Sequence, residues 1–178
     1  MDEAPEKTTK RIDVPRYFRL ACQFWWDESV VGWTDQMKLL FLYLLTTKHR
    51  TLEGIFVLPL EYVAADMRWP ITRVRKILAK LEGMRAVKFD PGTNLLLIRN
   101  ALRYQQPDSK NVLTAVLSRV RNLPDQQELL NEFIDLAELH CRRSGLSAFA
   151  QALPERLKEE LRAQPKRGVF GAVGTERR

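Results

Sequence analysis

The pattern of apolar and polar residues is most regular between residues 54 and 104. Residues 54–58 form a short apolar run that opens with a glycine, which is typical of a buried strand. Pro59 follows, and proline suits the first turn of a helix because its missing N–H needs no partner there. The apolar residues of this predicted helix fall on one face: Leu60, Val63, Ala64 and Met67. Residues 68–70 end it, because the residue before Pro70 is disfavoured in a helical conformation.

A second amphipathic helix is predicted over residues 71–84. Its apolar stripe repeats at i, i+3, i+4 and i+7 and consists of Val74, Ile77, Leu78 and Leu81. The opposite face carries Thr72, Arg73, Arg75, Lys76 and Lys80. Two runs of strand-forming residues, 86–90 and 95–99, then flank a turn that contains Pro91 and Gly92. This arrangement predicts a β-hairpin.

Strand, helix, turn, helix and hairpin follow one another in the order of a winged helix-turn-helix domain. The second helix of such a pair is the one that enters the major groove of DNA. We therefore predict that the chain binds double-stranded DNA through the polar face of this helix and through the hairpin. The predicted DNA-binding residues are Thr72, Arg73, Arg75, Lys76, Lys80, Lys88, Asn94 and Arg99. The predicted core consists of Leu40, Leu44, Phe56, Val63, Val74, Ile77, Leu81, Phe89 and Leu97.

The residues before this segment predict a central helix. Thr34 is a good N-cap for a helix over residues 35–47, which is apolar on most of its sides. Residues 24–27 form an aromatic cluster that we interpret as a hydrophobic lid on this helix. A base-stacking platform for single-stranded nucleic acid is the alternative interpretation. In the polar loop that follows the helix, His49 and Arg50 are an alternative phosphate contact.

The residues after the hairpin predict further helices. Residues 110–121 form one helix and residues 125–141 form a second, amphipathic one. Valines repeat every four residues along the first of them: Val112, Val116 and Val120. Two short helices are expected over residues 147–152 and 155–163, with Pro154 starting the second. Because a hairpin of helices cannot bury its own stripes, these stripes must dock on the preceding domain, on another copy or on a partner.

The predicted fold class is mainly α with a small β component: a winged helix-turn-helix followed by a C-terminal helical region. Its parts are a disordered segment 1–15, a winged-helix domain 16–107, a helical region 108–163 and a basic flexible tail 164–178. The alternating residues 16–20 are a candidate edge strand at the start of the domain.

Charge is distributed unevenly along the chain. There are 29 Lys and Arg against 22 Asp and Glu, and this net charge of +7 is compatible with a polyanion partner. Nine cations and two anions lie between residues 68 and 103, the segment that would contact DNA. Residues 124–140 carry five carboxylates and no Lys or Arg. Since this acidic helix would repel DNA, we expect it to point away from the DNA-reading face, at the interface of a homo-oligomer, most simply a dimer, or of a replication partner.

Composition excludes several classes of function. No apolar run approaches the ~20 residues that span a bilayer, and the N-terminus has no signal-peptide pattern, so we expect a cytoplasmic protein without a membrane partner. Cys22 and Cys141 lie far apart and imply no disulfide framework. His49 and His140 have no ligand-spaced partners, and neither a Gly-rich phosphate loop nor a supported catalytic triad occurs. We therefore predict no enzymatic activity, no catalytic residue, no metal site and no cofactor.

Four stretches of the sequence together resemble a known family. They are residues 33–35, the apolar helix 39–45, the run Gly-Ile-Phe-Val-Leu-Pro-Leu at 54–60, and the spaced residues between 74 and 105. Residues 17–107 thereby resemble the N-terminal winged-helix domain of phage replication proteins, including the DnaD-like replisome organisers. The resemblance implies DNA binding, self-association and a role in assembling a replication complex with host or phage proteins.

The C-terminal part departs from that family. Full-length DnaD-like proteins carry a second helical domain that ends in a Tyr- and Trp-containing motif, which contacts DNA and helicase. In this chain no Trp follows Trp69 and no Tyr follows Tyr104. Helicase loading therefore does not follow from the resemblance.

Two classes of function stay open on the sequence. The first is a DNA-binding replication initiation or replisome-organiser protein. The alternative is a winged-helix protein-interaction module, such as a phage-encoded inhibitor or adaptor of a host complex, or a transcriptional regulator. Duplex binding that weakens steeply with salt separates DNA binding from a protein adaptor.

Overall fold

A computed structural model describes residues 20–163. The disordered segment and the tail predicted above lie outside these residues, as does most of the candidate edge strand. The eight helices of the described part are α1 (Glu28–Val31), α2 (Asp35–Thr46), α3 (Leu60–Met67), α4 (Ile71–Gly83), α5 (Ala101–Tyr104), α6 (Lys110–Arg121), α7 (Gln127–Cys141) and α8 (Ala148–Ala163). A short 3-10 helix, Cys22–Trp25, precedes them, and the strands are β1 (Ile55–Val57), β2 (Val87–Asp90) and β3 (Leu95–Ile98).

The three strands form one antiparallel sheet in the order β1-β3-β2. In this register Leu97 lies opposite Ile55 on one side and opposite Lys88 on the other. The prediction of a mainly helical chain with a small β component is therefore confirmed. None of the described helices is long and apolar enough to cross a membrane.

One face of the sheet packs against α2, α3 and α4. Phe56, Leu96 and Ile98 point into this first core, where they meet the buried stripes of the three helices. Seven of the predicted core residues are buried here: Leu40, Leu44, Phe56, Val63, Val74, Ile77 and Leu81. Phe89 packs against the same cluster while staying partly exposed. The periodicity of the three helices thus predicted their buried faces correctly.

The opposite face of the sheet carries a second core. Ile55, Leu95 and Leu97 point away from α4 and are buried against α6, α7 and α8. The prediction that Leu97 belongs to the first core is therefore wrong. Successive residues of a strand point to opposite sides of the sheet, so Leu97 cannot share a face with its neighbours Leu96 and Ile98.

The C-terminal helices bury their apolar stripes in this second core. The buried face of α6 consists of Leu113, Val116, Leu117 and Val120, while Val112 is only partly buried. Phe133 of α7 is fully buried in the same cluster. The stripes thus dock on the sheet of their own chain, so they do not require a second copy, and self-association stays a prediction.

The helix α8 is continuous, which corrects the prediction of two short helices separated at Pro154. Pro154 lies inside α8, where proline removes one backbone hydrogen bond and typically costs ~3 kcal/mol or more. Leu153 and Leu157 are one turn apart and both fully buried in the second core. Their burial offsets the lost hydrogen bond and keeps the helix unbroken.

A partly buried ion pair connects the loop before β1 to α6. The side chain of Glu53 is fully buried, and its two oxygens accept hydrogen bonds from Arg119 Nε and Nη2 at 2.9 and 2.8 Å. The next residue, Gly54, has φ +77°, and a Cβ there would lie 2.2 Å from Ala101 Cβ. Only glycine fits this position, and it lets the loop turn tightly enough to present Glu53 to α6.

A second group of ion pairs attaches α7 to the hairpin. Lys88 Nζ lies 2.5 Å from Glu128 Oε1 and 3.2 Å from Glu132 Oε2, and Arg99 Nε donates to Glu132 Oε1. Burial alone would raise the pKa of Glu132, but the hydrogen bonds from Arg99 and Lys88 hold that pKa below its usual range. The acidic helix thus lies on the side of the sheet opposite α4, where it contacts two of the predicted DNA-binding residues, Lys88 and Arg99.

We expect the two cores to unfold together, because the same sheet separates them and Glu53 joins them. Leu81→Ala in the first core and Leu97→Ala in the second should each lower the free energy of unfolding by about 2–5 kcal/mol. Both variants should keep a single cooperative transition in denaturant. Leu39→Ala, at an exposed position of α2, is the control and should change stability by less than about 0.5 kcal/mol. Two separate transitions would contradict this description.

The ion pairs of Glu132 predict an acid-dependent loss of stability. A carboxylate with a lowered folded pKa stabilises the protein above its unfolded pKa, and this contribution disappears as the pH falls through the folded pKa. Glu132→Gln should therefore lower the free energy of unfolding by about 1–2 kcal/mol at neutral pH, and the difference from the unmodified protein should shrink in acid.

Glu128→Gln is the matched control for that change. The side chain of Glu128 is 76% exposed, against 23% for Glu132, so its ion pair is screened by water. We expect it to alter the free energy of unfolding by less than about 0.5 kcal/mol. Denaturant titrations over a pH series measure both variants. A Glu132→Gln effect that stays constant from neutral to acidic pH would speak against the ion pairs as its cause.

Candidate nucleic-acid interface

The helix α4 presents one polar face to solvent. Val74, Ile77, Leu78 and Leu81 are all buried in the first core, so the other side of the helix faces outward. A tight turn orients α4 relative to α3: Arg68 ends α3 in a left-handed conformation with φ 54°, and Pro70 stands at the N-cap of α4. The carbonyl of Pro70 accepts hydrogen bonds from the N–H groups of Arg73 and Val74.

Every predicted contact residue on α4 is exposed, namely Thr72, Arg73, Arg75, Lys76 and Lys80. Within the described part of the chain, none of the four cations forms an ion pair. Their charges are therefore not neutralised by carboxylates of these residues. Ala79 and Gly83 lie on the same exposed side and leave it free of bulky side chains. We call this surface the α4 face.

Two further cations extend the α4 face beyond the predicted set. Arg68 precedes α4 and Arg85 follows it, and both are exposed with positive φ, 54° and 56°. Neither forms an ion pair in the described part of the chain. The sequence shows that both residues are charged. Their positions depend on the backbone conformation of the turns at the two ends of α4, which the spacing of apolar residues does not predict.

The turn between α3 and α4 also positions Arg73. The guanidinium carbon of Arg73 lies 5.1 Å from the centre of the Trp69 ring, a distance at which a cation is attracted to an aromatic face. Trp69 itself packs partly against the first core. This contact restrains Arg73 at the N-terminal end of the α4 face.

The turn of the hairpin is fixed beside α4. Thr93 donates two hydrogen bonds to Asp90 Oδ2, at 2.7 Å from its N–H and 2.6 Å from its hydroxyl. Asn94 is partly exposed with φ 56°, and its carbonyl accepts a hydrogen bond from the N–H of Leu58. From α4, Glu82 Oε1 accepts a hydrogen bond from the N–H of Phe89. Asn94 thus stands at the end of the hairpin turn, and hydrogen bonds attach the hairpin to the residue after β1 and to α4.

Lys88 and Arg99 do not join the α4 face, although they belong to the predicted contact set. Phe89 points towards α4, so the alternation of side chains turns Lys88 to the other side of the sheet. Arg99 likewise follows Ile98, which faces the first core. Both cations meet α7 and are paired with Glu128 and Glu132. This pairing corrects the expectation that their charges are available to phosphates.

Arg50 is buried, so it does not offer the alternative phosphate contact. Its guanidinium donates to the carbonyl of Leu45 at 3.0 Å and to Gln105 Oε1 at 2.9 Å. Burial lowers the pKa of Arg50 to about 10. The neighbouring His49 stacks on the ring of Tyr62 with a centroid distance of 5.2 Å. Arg50 therefore joins the end of α2 to the segment after α5.

The aromatic cluster before α1 divides into two parts. Phe24 is buried and stacks on Phe41 of α2 with ring centroids 6.2 Å apart, as expected of a lid on that helix. Trp25 and Trp26 are exposed. The interpretation as a hydrophobic lid therefore holds for Phe24 alone.

The described residues contain no group of three His, Cys, Asp or Glu side chains arranged to hold a metal ion. His140 and Cys141 are both buried near the end of α7. Burial raises the pKa of the Cys141 thiol to about 11, so this thiol is protonated at neutral pH. It is therefore a poor nucleophile and a poor metal ligand.

Comparison with known proteins adds no family to this description. No family model, no curated protein and no solved structure matches the chain.

Proposed function

We propose that residues 34–100 form a winged helix and that the chain binds duplex DNA with α4 in the major groove. The element order α2-β1-α3-α4-β2-β3, with the sheet order β1-β3-β2, supports the first part of the proposal. The second part is carried by one observation: the α4 face presents four exposed cations without a carboxylate partner in the described residues.

The arrangement of residues on α4 suits a close approach to DNA. Arg73, Lys76 and Lys80 are spaced by three and four residues, so they form one row along the helix. Ala79 and Gly83 lie on the same side and allow the helix backbone to come near the groove. Lysines in this position neutralise phosphates, while an arginine can bind the O6 and N7 atoms of guanine with two hydrogen bonds.

The two sides of the sheet would have separate roles in this proposal. The α4 face lies on the side of the first core, and the carboxylates of α7 lie on the side of the second. Glu128 and Glu132 are neutralised by Lys88 and Arg99, which reduces the repulsion that these carboxylates would exert on bound DNA. An acidic helix is thus compatible with DNA binding by the same chain.

The biological role that we propose is replication initiation or organisation of a replisome. Its support is the resemblance of residues 17–107 to the N-terminal domain of phage replication proteins, which also implies self-association. Because the C-terminal helices are packed on the sheet, a partner or a second copy would meet their outer surfaces and not their apolar stripes.

The proposal predicts that DNA binding depends on the α4 face. Arg73→Ala/Arg75→Ala/Lys76→Ala should weaken binding to every duplex, and each lost phosphate contact should reduce the slope of log affinity against log salt by about one. If one of the arginines reads a base, affinity for the preferred site should fall by a further ~1–3 kcal/mol. Fluorescence anisotropy with labelled duplexes over a salt series measures these changes.

A charge-matched variant controls for net charge. Lys110→Ala/Arg143→Ala/Arg162→Ala also removes three exposed cations, but all of them lie in the C-terminal helical region. We expect this control to keep most of the affinity and the salt slope. Equal binding by the unmodified protein and the α4 variant would rule out the proposal.

A pair of single substitutions tests which side of the sheet contacts DNA. Lys80→Ala removes an unpaired cation from the α4 face and should reduce the salt slope by about one. Lys88→Ala removes a cation that is already paired with Glu128 and Glu132, so the slope should stay unchanged. The reverse result would mean that DNA contacts the hairpin side and that α4 faces solvent or another protein.

A pull-down from host lysate with and without nuclease separates DNA binding from the alternative of a protein-interaction module. Partners that nuclease releases are bridged by nucleic acid and agree with the proposal. A protein that stays bound after nuclease treatment, together with no duplex binding by the purified chain, would favour the adaptor.

A further inference from the structure

Three aromatic side chains are exposed although aromatic residues usually lie in cores. Trp25 and Trp26 are adjacent in the chain and are 56% and 67% exposed, and Tyr104 of α5 is 43% exposed. Tryptophan is highly buried on average in folded proteins. Neighbouring exposed apolar groups typically mark a surface that binds another molecule. Neither the first core nor the α4 face explains these three rings.

The chain segments that carry these rings meet around one small cavity of about 100 Å³. Phe24 and Asp27, which flank the two tryptophans in the sequence, both line it. Tyr104 lines it from α5, and Arg85 lines it from the turn after α4. The three rings therefore belong to one region of the surface. Because Arg85 is also part of the α4 face, this region adjoins the proposed DNA-binding surface.

Two arginines accompany the rings. Arg85 and Arg103 are both exposed, and no carboxylate of residues 20–163 forms an ion pair with either of them. The guanidinium carbon of Arg103 lies 5.6 Å from the centre of the Tyr104 ring, within the range of a cation–π contact. Hydrogen bonds from Ser29 lower the pKa of Asp27, and the charge of Arg103 lowers it further. Arg103 thus lies near the residue that follows the tryptophans.

The ring of Trp25 rests on a fixed support. Phe24 is buried and stacks on Phe41 of α2, and Trp25 contacts Phe24 edge to face with ring centroids 5.1 Å apart. Aromatic pairs in these geometries stabilise one another beyond their buried area. A ring that is already restrained loses little conformational entropy when a ligand stacks on it.

The chemistry of this region suits unpaired bases. Proteins that bind single-stranded nucleic acid combine aromatic side chains, on which bases stack, with cations that contact the phosphates. Paired bases inside a duplex do not offer their faces to a protein side chain. Asp27 and Glu28 lie in the same segment and balance the charges of Arg85 and Arg103. Binding here would therefore depend on stacking more than on charge.

We propose that Trp25, Trp26 and Tyr104 form a stacking surface for single-stranded DNA, with Arg85 and Arg103 at its phosphates. The choice of DNA rests on the proposed function, because Arg85 connects the stacking surface to the α4 face and a strand leaving a duplex there would reach the rings. The stacking itself does not depend on a duplex. The chain thus binds a junction of double-stranded and single-stranded DNA more tightly than a blunt duplex.

A strand of thymidines tests the stacking surface without a duplex. We expect an oligothymidylate of about twelve nucleotides to bind the full chain with a dissociation constant on the order of 10 µM at low salt. Fluorescence anisotropy of the labelled strand measures the affinity, and quenching of tryptophan emission reports the stacking. Absence of both signals at about 100 µM protein would overturn the proposal. Tighter binding of a uridine strand of equal length would overturn the assignment to DNA.

Variants of the tryptophans locate the site. Trp25→Ala and Trp26→Ala should each weaken oligothymidylate binding by about 5- to 150-fold, which corresponds to ~1–3 kcal/mol per stacked base. Trp26→Phe keeps a ring and should retain most of the affinity. Phe149→Ala removes an exposed ring from α8 and is the matched control, which should bind like the unmodified protein. If Trp25→Ala does not fold, the more exposed Trp26 decides, and unchanged binding by Trp26→Ala would overturn the proposal.

A duplex with and without a thymidine extension separates this inference from the proposed function. The extension should tighten binding, and Trp26→Ala should abolish that gain while leaving the affinity for the blunt duplex unchanged. The α4 variant should lose the blunt duplex and keep most of its affinity for oligothymidylate. Binding of the blunt duplex with no gain from the extension would overturn this inference alone. Binding of oligothymidylate with no binding of the blunt duplex would overturn the proposed function and support the stacking surface.

The same variants exclude other occupants of the surface. Sedimentation of the unmodified protein and of Trp25→Ala/Trp26→Ala reports whether a second copy covers the rings. An oligomer that the double variant dissociates, with oligothymidylate binding unchanged, would make the surface a protein interface and overturn the proposal. Acrylamide should quench the emission of Trp25 and Trp26 in the free chain. Protection of both rings would show that another part of the chain covers them, which would also overturn it.

Discussion

The strand β3 is buried on both of its faces, and the rest of the structure depends on this constraint. Leu95, Leu96, Leu97 and Ile98 alternate between two cores, and all four side chains are at most 2% exposed. Burial of each such side chain contributes roughly 1.5–3 kcal/mol. Because both faces of the sheet are apolar along this strand, each face needs a helical layer that covers it. The N-terminal and C-terminal helices provide these two layers.

The alternation of side chains in the hairpin also determines on which side of the sheet its charged residues lie. Residues on the first-core side of β2 and β3 are apolar, whereas Lys88 and Arg99 emerge on the side of the second core. The acidic helix α7 lies there and neutralises them. The cations of α4 lie on the opposite side, with no carboxylate of the described residues paired to them. A basic surface and an acidic helix therefore coexist in one small chain, because a sheet lies between them.

In the part of the chain that the structure describes, a cavity borders the first core beside residues 20–24. Phe24 fills part of the space over α2, but a cavity remains between Trp33, Phe41 and the end of β3. Large apolar side chains at its opening and the unpartnered indole of Trp33 lie in the same region. The buried side chains of Glu53 and Arg50 form hydrogen bonds within the chain.

The sequence by itself determined the positions of α2, α3, α4 and the hairpin to within one or two residues. These elements depend on local signals: helical spacing of apolar residues, the Thr34 cap that accepts from Met37, and a Pro-Gly turn. The exposed cations of α4 follow from the same spacing, since a buried stripe fixes which residues face outward.

Only the tertiary structure decided which residues of the sheet face the N-terminal helices and which face the C-terminal helices. An apolar run such as 95–98 has no polar residue to mark its outer face, so the sequence could not assign Leu97 to a core. The partners of Lys88 and Arg99 lie 33 to 44 residues away in the sequence, and that of Glu53 lies 66 residues away. Pro154 stays inside α8 because Leu153 and Leu157 are buried in the second core, where α8 packs on α6 and α7. Each of these outcomes depends on contacts between distant segments, which no local pattern encodes.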